Sequence, residues 1–114
     1  MISGIGASLS GLMAFGKKLS NAANNIANSN TADYKKTEAT ITEDSVGLPD
    51  VNLTRVETPG VLFQEGDGAK VELSNVDLAE ELSETIIAQR GYQANIKALK
   101  AQTDMLGSVL DILV

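Results

Sequence analysis

The sequence predicts a mainly α fold in which an N-terminal and a C-terminal helix pair as a coiled coil, with a small β-rich or irregular insert between them. Three observations carry this. The last third of the chain holds a long heptad stripe, the first quarter holds a second and weaker one, and the stretch between them trades Ala and Leu for β-branched residues and Gly. The expected parts are 1–34 (N-terminal helix and Asn-rich turn), 35–73 (exposed acidic insert) and 74–114 (C-terminal coiled-coil helix).

Composition bounds what such a fold can do. At 114 residues the chain is one domain at most, and two Phe, two Tyr and no Trp make a wide globular core improbable. There is no Cys, which excludes disulfides and thiolate metal sites. There is no His either, so the commonest general base and transition-metal ligand are missing. No paired carboxylates or nucleophile–base set stands at a catalytic spacing, and no catalytic residue, cofactor-binding residue or metal ligand is assigned. The net charge of −6 is unevenly spread. Residues 1–36 set four lysines against Asp33, residues 37–81 set eleven acids against Arg55 and Lys70, and residues 82–114 balance. Such a surface does not suit nucleic acid. The longest apolar run is too short to span a bilayer, so no direct membrane insertion is expected. Met1-Ile2-Ser3-Gly4-Ile5 lacks the basic region and long apolar core of a secretory signal, which on its own would place the protein in the cytoplasm.

The N-terminal helix is read from Ile5, Leu9, Leu12, Gly16, Leu19, Ala23 and Ile26, one face at heptad spacing, with Ser3 as its N-cap. Gly4, Gly6, Gly11 and Gly16 each cost it about 1 kcal/mol relative to Ala. It should be marginal alone, a flexible arm being the alternative, while its small residues would let a partner helix approach closely. Asn24-Asn25-Ile26-Ala27-Asn28 continues the pattern, and Asn24 and Asn28 share a face, so these amides are expected to make specifying polar contacts. Asn30 and Asp33 are read as turn residues.

In the insert, Thr37 to Thr42, Val51 to Val56, Val61 to Phe63 and Val71 to Leu73 read as short strands. Gly47-Leu48-Pro49-Asp50, Thr58-Pro59-Gly60 and Gly66-Asp67-Gly68 separate them. Gly66-Asp67-Gly68 lacks both the Lys-Ser/Thr of a phosphate loop and the spaced carboxylates of a calcium loop, and is a turn. The many acids argue for an exposed, hairpin-like insert.

The C-terminal helix opens at Asp77, with Glu80 three residues on to close a capping box. Its seam runs Leu78, Leu82, Thr85, Gln89, Tyr92, Ile96, Leu99, Thr103, Leu106, Leu110 and Leu113. A helix of that length spans roughly 55 Å and has nothing in itself to bury such a stripe against. Its partner is a helix of the same chain, parallel or antiparallel, or of a neighbour. Gln89, Arg90, Gly91, Tyr92, Gln93 and Asn95 form a polar, aromatic and glycine cluster in an otherwise aliphatic helix. Polar residues on a seam fix register and partner, and Arg90 beside it can reach a carboxylate across an interface.

Two stretches resemble the signatures of the bacterial flagellar basal-body rod and hook family. One is Ala22-Ala23-Asn24-Asn25-Ile26-Ala27-Asn28-Ser29-Asn30-Thr31-Ala32-Asp33-Tyr34; the other runs from Ser74-Asn75-Val76-Asp77 through Gln89-Arg90-Gly91-Tyr92-Gln93-Ala94-Asn95. Asp33 stands where that family usually has Gly, and Asp tolerates positive φ better than most residues. Only about 40 residues separate the motifs, as in the smaller proximal-rod proteins, whereas the C-terminal wording is closer to hook and distal-rod members.

The resemblance implies a structural, non-enzymatic subunit that self-assembles as a homo-oligomer with other flagellar rod and hook proteins. It implies passage through the flagellar type III export apparatus without a cleaved signal peptide, and residence in the basal body, as periplasmic rod or as hook. Asn24, Asn25, Asn28, Thr31, Tyr34, Gln89, Arg90 and Asn95 are the implied assembly contacts. The competing expectation is a cytoplasmic coiled-coil adaptor or flagellar export chaperone using the same stripe.

Overall fold

The computed structural model describes residues 2–114. Two long helices, α1 (Ile2–Ala27) and α2 (Leu78–Leu113), lie against each other and enclose in sequence four short strands: β1 (Thr37–Glu43), β2 (Pro49–Arg55), β3 (Leu62–Gln64) and β4 (Lys70–Glu72). The fold is mainly helical with a small strand-containing insert, and its extents are 79 × 26 × 14 Å.

The helices are antiparallel. Gly4 faces Gln102, Gly11 faces Asn95, Phe15 faces Gly91 and Lys18 pairs with Glu84, so numbering falls along α2 as it rises along α1. With Gly4 level with Gln102, about two and a half turns at the C-terminal end of α2 run past the start of α1. Helix α1 already includes Ile2, which puts Ser3 inside the helix instead of at the N-cap, because a cap residue must stand outside helical geometry. Helix α2 is capped as the sequence suggests: Asp77, in extended conformation, accepts from the N–H of Ala79 at 2.9 Å and of Glu80 at 3.3 Å. The reciprocal half of the capping box does not form, because Glu80 instead takes Lys36 Nζ at 2.6 Å.

All four expected strands form, with ends shifted by one or two residues. Strands β1 and β2 pair antiparallel from Thr37↔Arg55 to Glu43↔Pro49, and β3 and β4 from Leu62↔Glu72 to Gln64↔Lys70. Each turn is held by an Asp. Asp44 Oδ1 accepts from the N–H of Val46 and of Leu48, and Asp67 Oδ1 accepts from that of Ala69. Each turn then closes through a left-handed glycine, Gly47 at φ 79° and Gly68 at φ 88°. The first hairpin is less free than its acids suggested. It lies back along α1, with Ser10 Oγ donating to Pro49 O at 2.7 Å and Lys17 paired to Asp50 at 3.1 Å. No helix of the described residues packs on the second hairpin, which is tied down at its base by Asp33 N–H to Glu72 O (2.9 Å) and by the Lys35–Glu72 ion pair.

Candidate assembly surface

The helices meet through small and polar residues. Ser8 and Gly11 of α1 and Glu81 and Ala88 of α2 are buried, with Gly4, Phe15, Gly91, Asn95 and Gln102 half-buried beside them. A side chain in place of Gly91 would overlap the Phe15 ring, and a Cβ at Gly11 would stand 2.7 Å from Asn95 Oδ1. Backbones this close need glycine on at least one side. Ser8 Oγ donates to Gln102 Oε1 at 3.4 Å.

The predicted seam lies one residue further on. Ile5, Leu9, Leu12, Gly16 and Leu19 each follow a contact residue of α1 (Gly4, Ser8, Gly11, Phe15, Lys18), and Leu82, Gln89 and Ile96 each follow one of α2 (Glu81, Ala88, Asn95). One residue is about 100° around a helix. Because the helices are antiparallel, the two offsets turn toward the same side of the pair. The leucine stripes are therefore not interleaved between α1 and α2. They lie side by side on one face, where the Tyr92 ring reaches within 4.0 Å of the Cβ position at Gly16. Leu9, Leu78, Leu82, Tyr92, Ile96, Leu110 and Leu113 are exposed, Leu82 by 53 % and Leu113 by 76 %. Ile5, Leu12, Leu19, Ile26, Leu99 and Leu106 are half-buried along its edge. The reason is backbone proximity: small residues on both helices allow a closer approach than two facing rows of Leu, and the buried polar contacts below fix that choice.

The Asn-rich run splits into inward and outward amides. Asn25 is the largest fully buried side chain among the described residues. Its Nδ2 donates to Thr37 O at 2.8 Å, and its Oδ1 accepts from Tyr34 Oη at 3.0 Å and from Thr37 N–H at 3.1 Å. It thereby welds the end of α1 to the first residue of β1. Burial, and then the nearby Glu81 carboxylate, raise the Tyr34 hydroxyl above its ordinary pKa. Asn28 instead closes the helix end locally, donating to Asn24 O at 2.9 Å and accepting from Thr31 Oγ1 at 3.1 Å. Asn95 donates within its own helix to Gly91 O at 3.0 Å. Asn24, Thr31, Gln89 and Arg90 point outward.

Two polar residues that the sequence reading did not single out complete this junction. Asn21 Nδ2 donates to Thr37 O at 2.5 Å. Asn75 accepts from Lys36 N–H at 2.6 Å and donates to Val56 O and Thr58 O at 2.9 and 3.0 Å, tying the second motif to the base of the first hairpin and the segment that leaves it. The available signal was position: Asn21 stands four residues before Asn25 on one face, and Asn75 immediately precedes the α2 cap.

The lysines of residues 1–36 are all engaged inside the chain. Lys17 pairs with Asp50, Lys18 with Glu84 at 2.6 Å, Lys35 with Glu72 and Lys36 with Glu80 at 2.6 Å. The hydrogen bond to Glu80 leads in raising the pKa of Lys36 above its ordinary value of 10.5. The bond from Lys35, then the Gly60 N–H, hold Glu72 below its ordinary 4.5. Lys18, Lys36, Glu80, Glu81 and Glu84 surround a cavity of about 60 Å³ between the helices and β1. Among the described residues no His, Cys, Asp or Glu side chains group as metal ligands, and no helix is long and apolar enough to cross a membrane.

Comparison with known proteins coincides with the two helix-bearing ends. Residues 5–35 match the family described as flagella basal body rod protein, and residues 69–112 that described as flagellar basal body rod FlgEFG protein C-terminal. Among similar curated proteins, the flagellar basal-body rod protein FlgG of Bacillus subtilis is 38 % identical over 62 residues, covering 48 % of this chain and 24 % of its own length. The flagellar hook protein FlgE of Helicobacter pylori is 44 % identical over 45 residues, 40 % of this chain and 6 % of its own. That of Escherichia coli is 43 % identical over 42 residues, 37 % of this chain and 10 % of its own. The chain thus spans less than a quarter of the length of these relatives.

Proposed function

Because the chain belongs to the flagellar basal-body rod and hook protein family, we propose that it is a structural subunit of the flagellar rod or hook that polymerises through its terminal helices. One observation carries this reading: α1 and α2 close on each other through Gly, Ala and Asn, and leave the leucines of both helices side by side on an open face. Monomeric proteins seldom expose a contiguous apolar face of that extent, and its natural fate is burial by neighbours. Helices packing in one direction from copy to copy give a heterologous, non-closing contact, which builds a helical array.

In this reading residues 1–34 and 74–114 form the packing layer and residues 35–73 face away from it. Asn24, Thr31, Gln89 and Arg90 meet neighbouring subunits, while Asn25, Asn28, Tyr34 and Asn95 act by holding the helix ends in the geometry that those contacts require. The partners are further copies and other rod or hook proteins, reached through the flagellar type III export apparatus without removal of a leader, and the destination is the basal body.

The test is Leu82→Asp with Ile96→Asp. Both side chains are exposed in the single chain, so helix content should be unchanged. Each fully buried Leu or Ile contributes about 1.5–3 kcal/mol, so losing two from a contact should weaken association at least a hundredfold. Sedimentation of the purified chain and swimming of cells carrying the variant are the readouts. Normal assembly and normal swimming would refute the proposal.

A further inference from the structure

The cations of this chain divide into two sets. Lys17, Lys18, Lys35, Lys36 and Arg55 each hold a carboxylate of the same chain within 4.0 Å. Among the described residues, Lys70, Arg90, Lys97 and Lys100 hold none, and three of these four lie on α2. Arg90 and Lys97 each stand two residues beyond a contact position (Ala88, Asn95), and Lys100 two before Gln102, about 160–200° around the helix. They therefore form one exposed strip on the side of α2 turned away from α1, unobstructed by either hairpin.

The matching unengaged charge is at the tip of the first hairpin. Glu43 and Asp44 are exposed, and among the described residues neither has a cation within ion-pair distance. The tip is held by its own hydrogen bonds: Asp44 Oδ1 accepts from the N–H groups of Val46 and Leu48, and the Asp44 N–H donates to Leu48 O at 2.8 Å. Position favours this tip over the Glu65–Asp67 turn. The base of the first hairpin is at Asn21 and Asn25 and its far end, Pro49, sits on Ser10, which puts residues 44–48 alongside the first turns of α1. Those turns face Asn95 to Gln102, the stretch of α2 that bears Lys97 and Lys100. The second hairpin is anchored beside Asp33 and Asn75, near the other end of the helix pair.

An acidic tip on the hairpin-bearing face of α1 and a basic strip on the outer side of α2 thus stand at one axial level on separate surfaces of the molecule. They cannot neutralise each other within one chain. A second copy set beside the first can bring its tip to this strip and leaves one tip and one strip open for the next. We infer that the Arg90–Lys97–Lys100 strip of one copy receives the Glu43–Asp44 hairpin tip of a second copy of this chain, as a lateral, charge-complementary joint separate from the leucine face. The inference rests on the polymerisation reading above.

The experiment is a charge exchange in the full chain, read as the concentration at which it assembles, by sedimentation and electron microscopy. Arg90→Glu with Lys97→Glu should raise that concentration about tenfold. Glu43→Lys with Asp44→Asn, which keeps the acceptor that the turn needs, should do the same. The quadruple variant should return to within about threefold of the parent, and raising salt toward 1 M, where screening acts over about 3 Å, should weaken the parent as the charge variants do. A quadruple variant as defective as either pair, or an Arg90→Glu, Lys97→Glu chain that assembles normally, overturns the joint. A second measurement avoids the charges: Thr42→Cys with Gln93→Cys, in a chain without other cysteines, should oxidise to a ladder of dimers, trimers and longer species. Monomer or dimer bands alone overturn it. If Leu82→Asp with Ile96→Asp leaves assembly intact, the polymerisation reading fails; if it abolishes assembly while the charge variants do not matter, only the lateral joint fails.

Discussion

Replacing Asn25 by Ala should destabilise the fold by about 3 kcal/mol. The amide is wholly buried and makes three hydrogen bonds, with Thr37 O, Thr37 N–H and Tyr34 Oη. Thr37 O keeps a donor in Asn21 after the substitution, so its loss is small. Thr37 N–H and Tyr34 Oη are left facing an apolar methyl, and an unsatisfied buried polar group costs about 1–3 kcal/mol. Two such groups, offset in part by rotation of the Tyr34 hydroxyl toward water, give the figure. Against a total of about 5–15 kcal/mol for a natural domain, that is a large fraction. The assay is urea denaturation followed by helical circular dichroism. Tyr34→Phe should cost about 1 kcal/mol, and the double variant should cost less than the two single losses together, since Tyr34 donates to Asn25. An Asn25→Ala chain within 0.5 kcal/mol of the parent, or strictly additive losses, would refute the claim that this amide joins α1 to β1.

Gly91→Ala should lower the denaturation midpoint despite a helix-propensity gain of about 1 kcal/mol, because the methyl overlaps the Phe15 ring and overpacking costs about 1–3 kcal/mol; Phe15→Leu should restore it. Asp33→Gly should raise the thermal midpoint slightly, since Asp33 sits at φ 58°, where a side chain costs about 1 kcal/mol and the added chain freedom takes back about half; Asp33→Val should lower it. Stability should be highest in a plateau between two titration limbs, measured as denaturation free energy against pH. Glu72 and Asp50 have pKa values lowered in the fold, Glu72 first by Lys35 and Asp50 first by the Val51 N–H and then Lys17, so their contribution is full above their ordinary 4.5 and 3.8 and is lost as pH falls through the depressed values. Lys36 is raised, so its contribution is full below 10.5 and is lost as pH rises through its elevated value; Lys35→Met should flatten the acid limb and leave the alkaline one.

Much of the architecture was legible in periodicity and turn chemistry. Two heptad stripes gave two helices, and the β-branched runs between Gly- and Pro-bearing separators gave the four strands to within two residues. The αL turn was legible at Asp33, one of the few residue types that tolerate it. What periodicity could not say is which neighbour a stripe faces. A one-residue shift is 100°, so Leu82 and Glu81 belong to equally regular heptads, and hydrophobicity alone favours the wrong one as the intrachain contact. Gly11 read as a cost to its helix and as room for a partner's close approach, and Gly91 as part of a polar, aromatic and glycine cluster; both are where the helices touch. The ion pairs were illegible for a different reason. Lys18–Glu84 and Lys36–Glu80 join residues far apart in sequence, and only the antiparallel docking sets their registry.

That choice of contact explains the energetic character of the chain. Among the described residues the buried apolar ones are Ala14, Ala22, Ala39 and Ala88, with side chains too small to provide much hydrophobic stabilisation, and the largest fully buried side chain is an amide. Closure on the leucine stripes would stabilise a single copy more strongly, but it would leave neighbouring copies little beyond charge to bind. Closure on small residues keeps the helix pair thin and leaves Leu9, Leu82 and Ile96 exposed. Specificity inside the chain then falls to polar contacts that tolerate no substitute geometry: Asn25 with Thr37, Asn75 with Lys36, and Asp77 with the first N–H groups of α2. In the proposed assembly, hydrophobic burial, which is strong but indifferent to direction, falls to the contacts between copies. On the proposed polymerisation, a subunit built this way is adequately shaped when alone and gains most of its stability on incorporation.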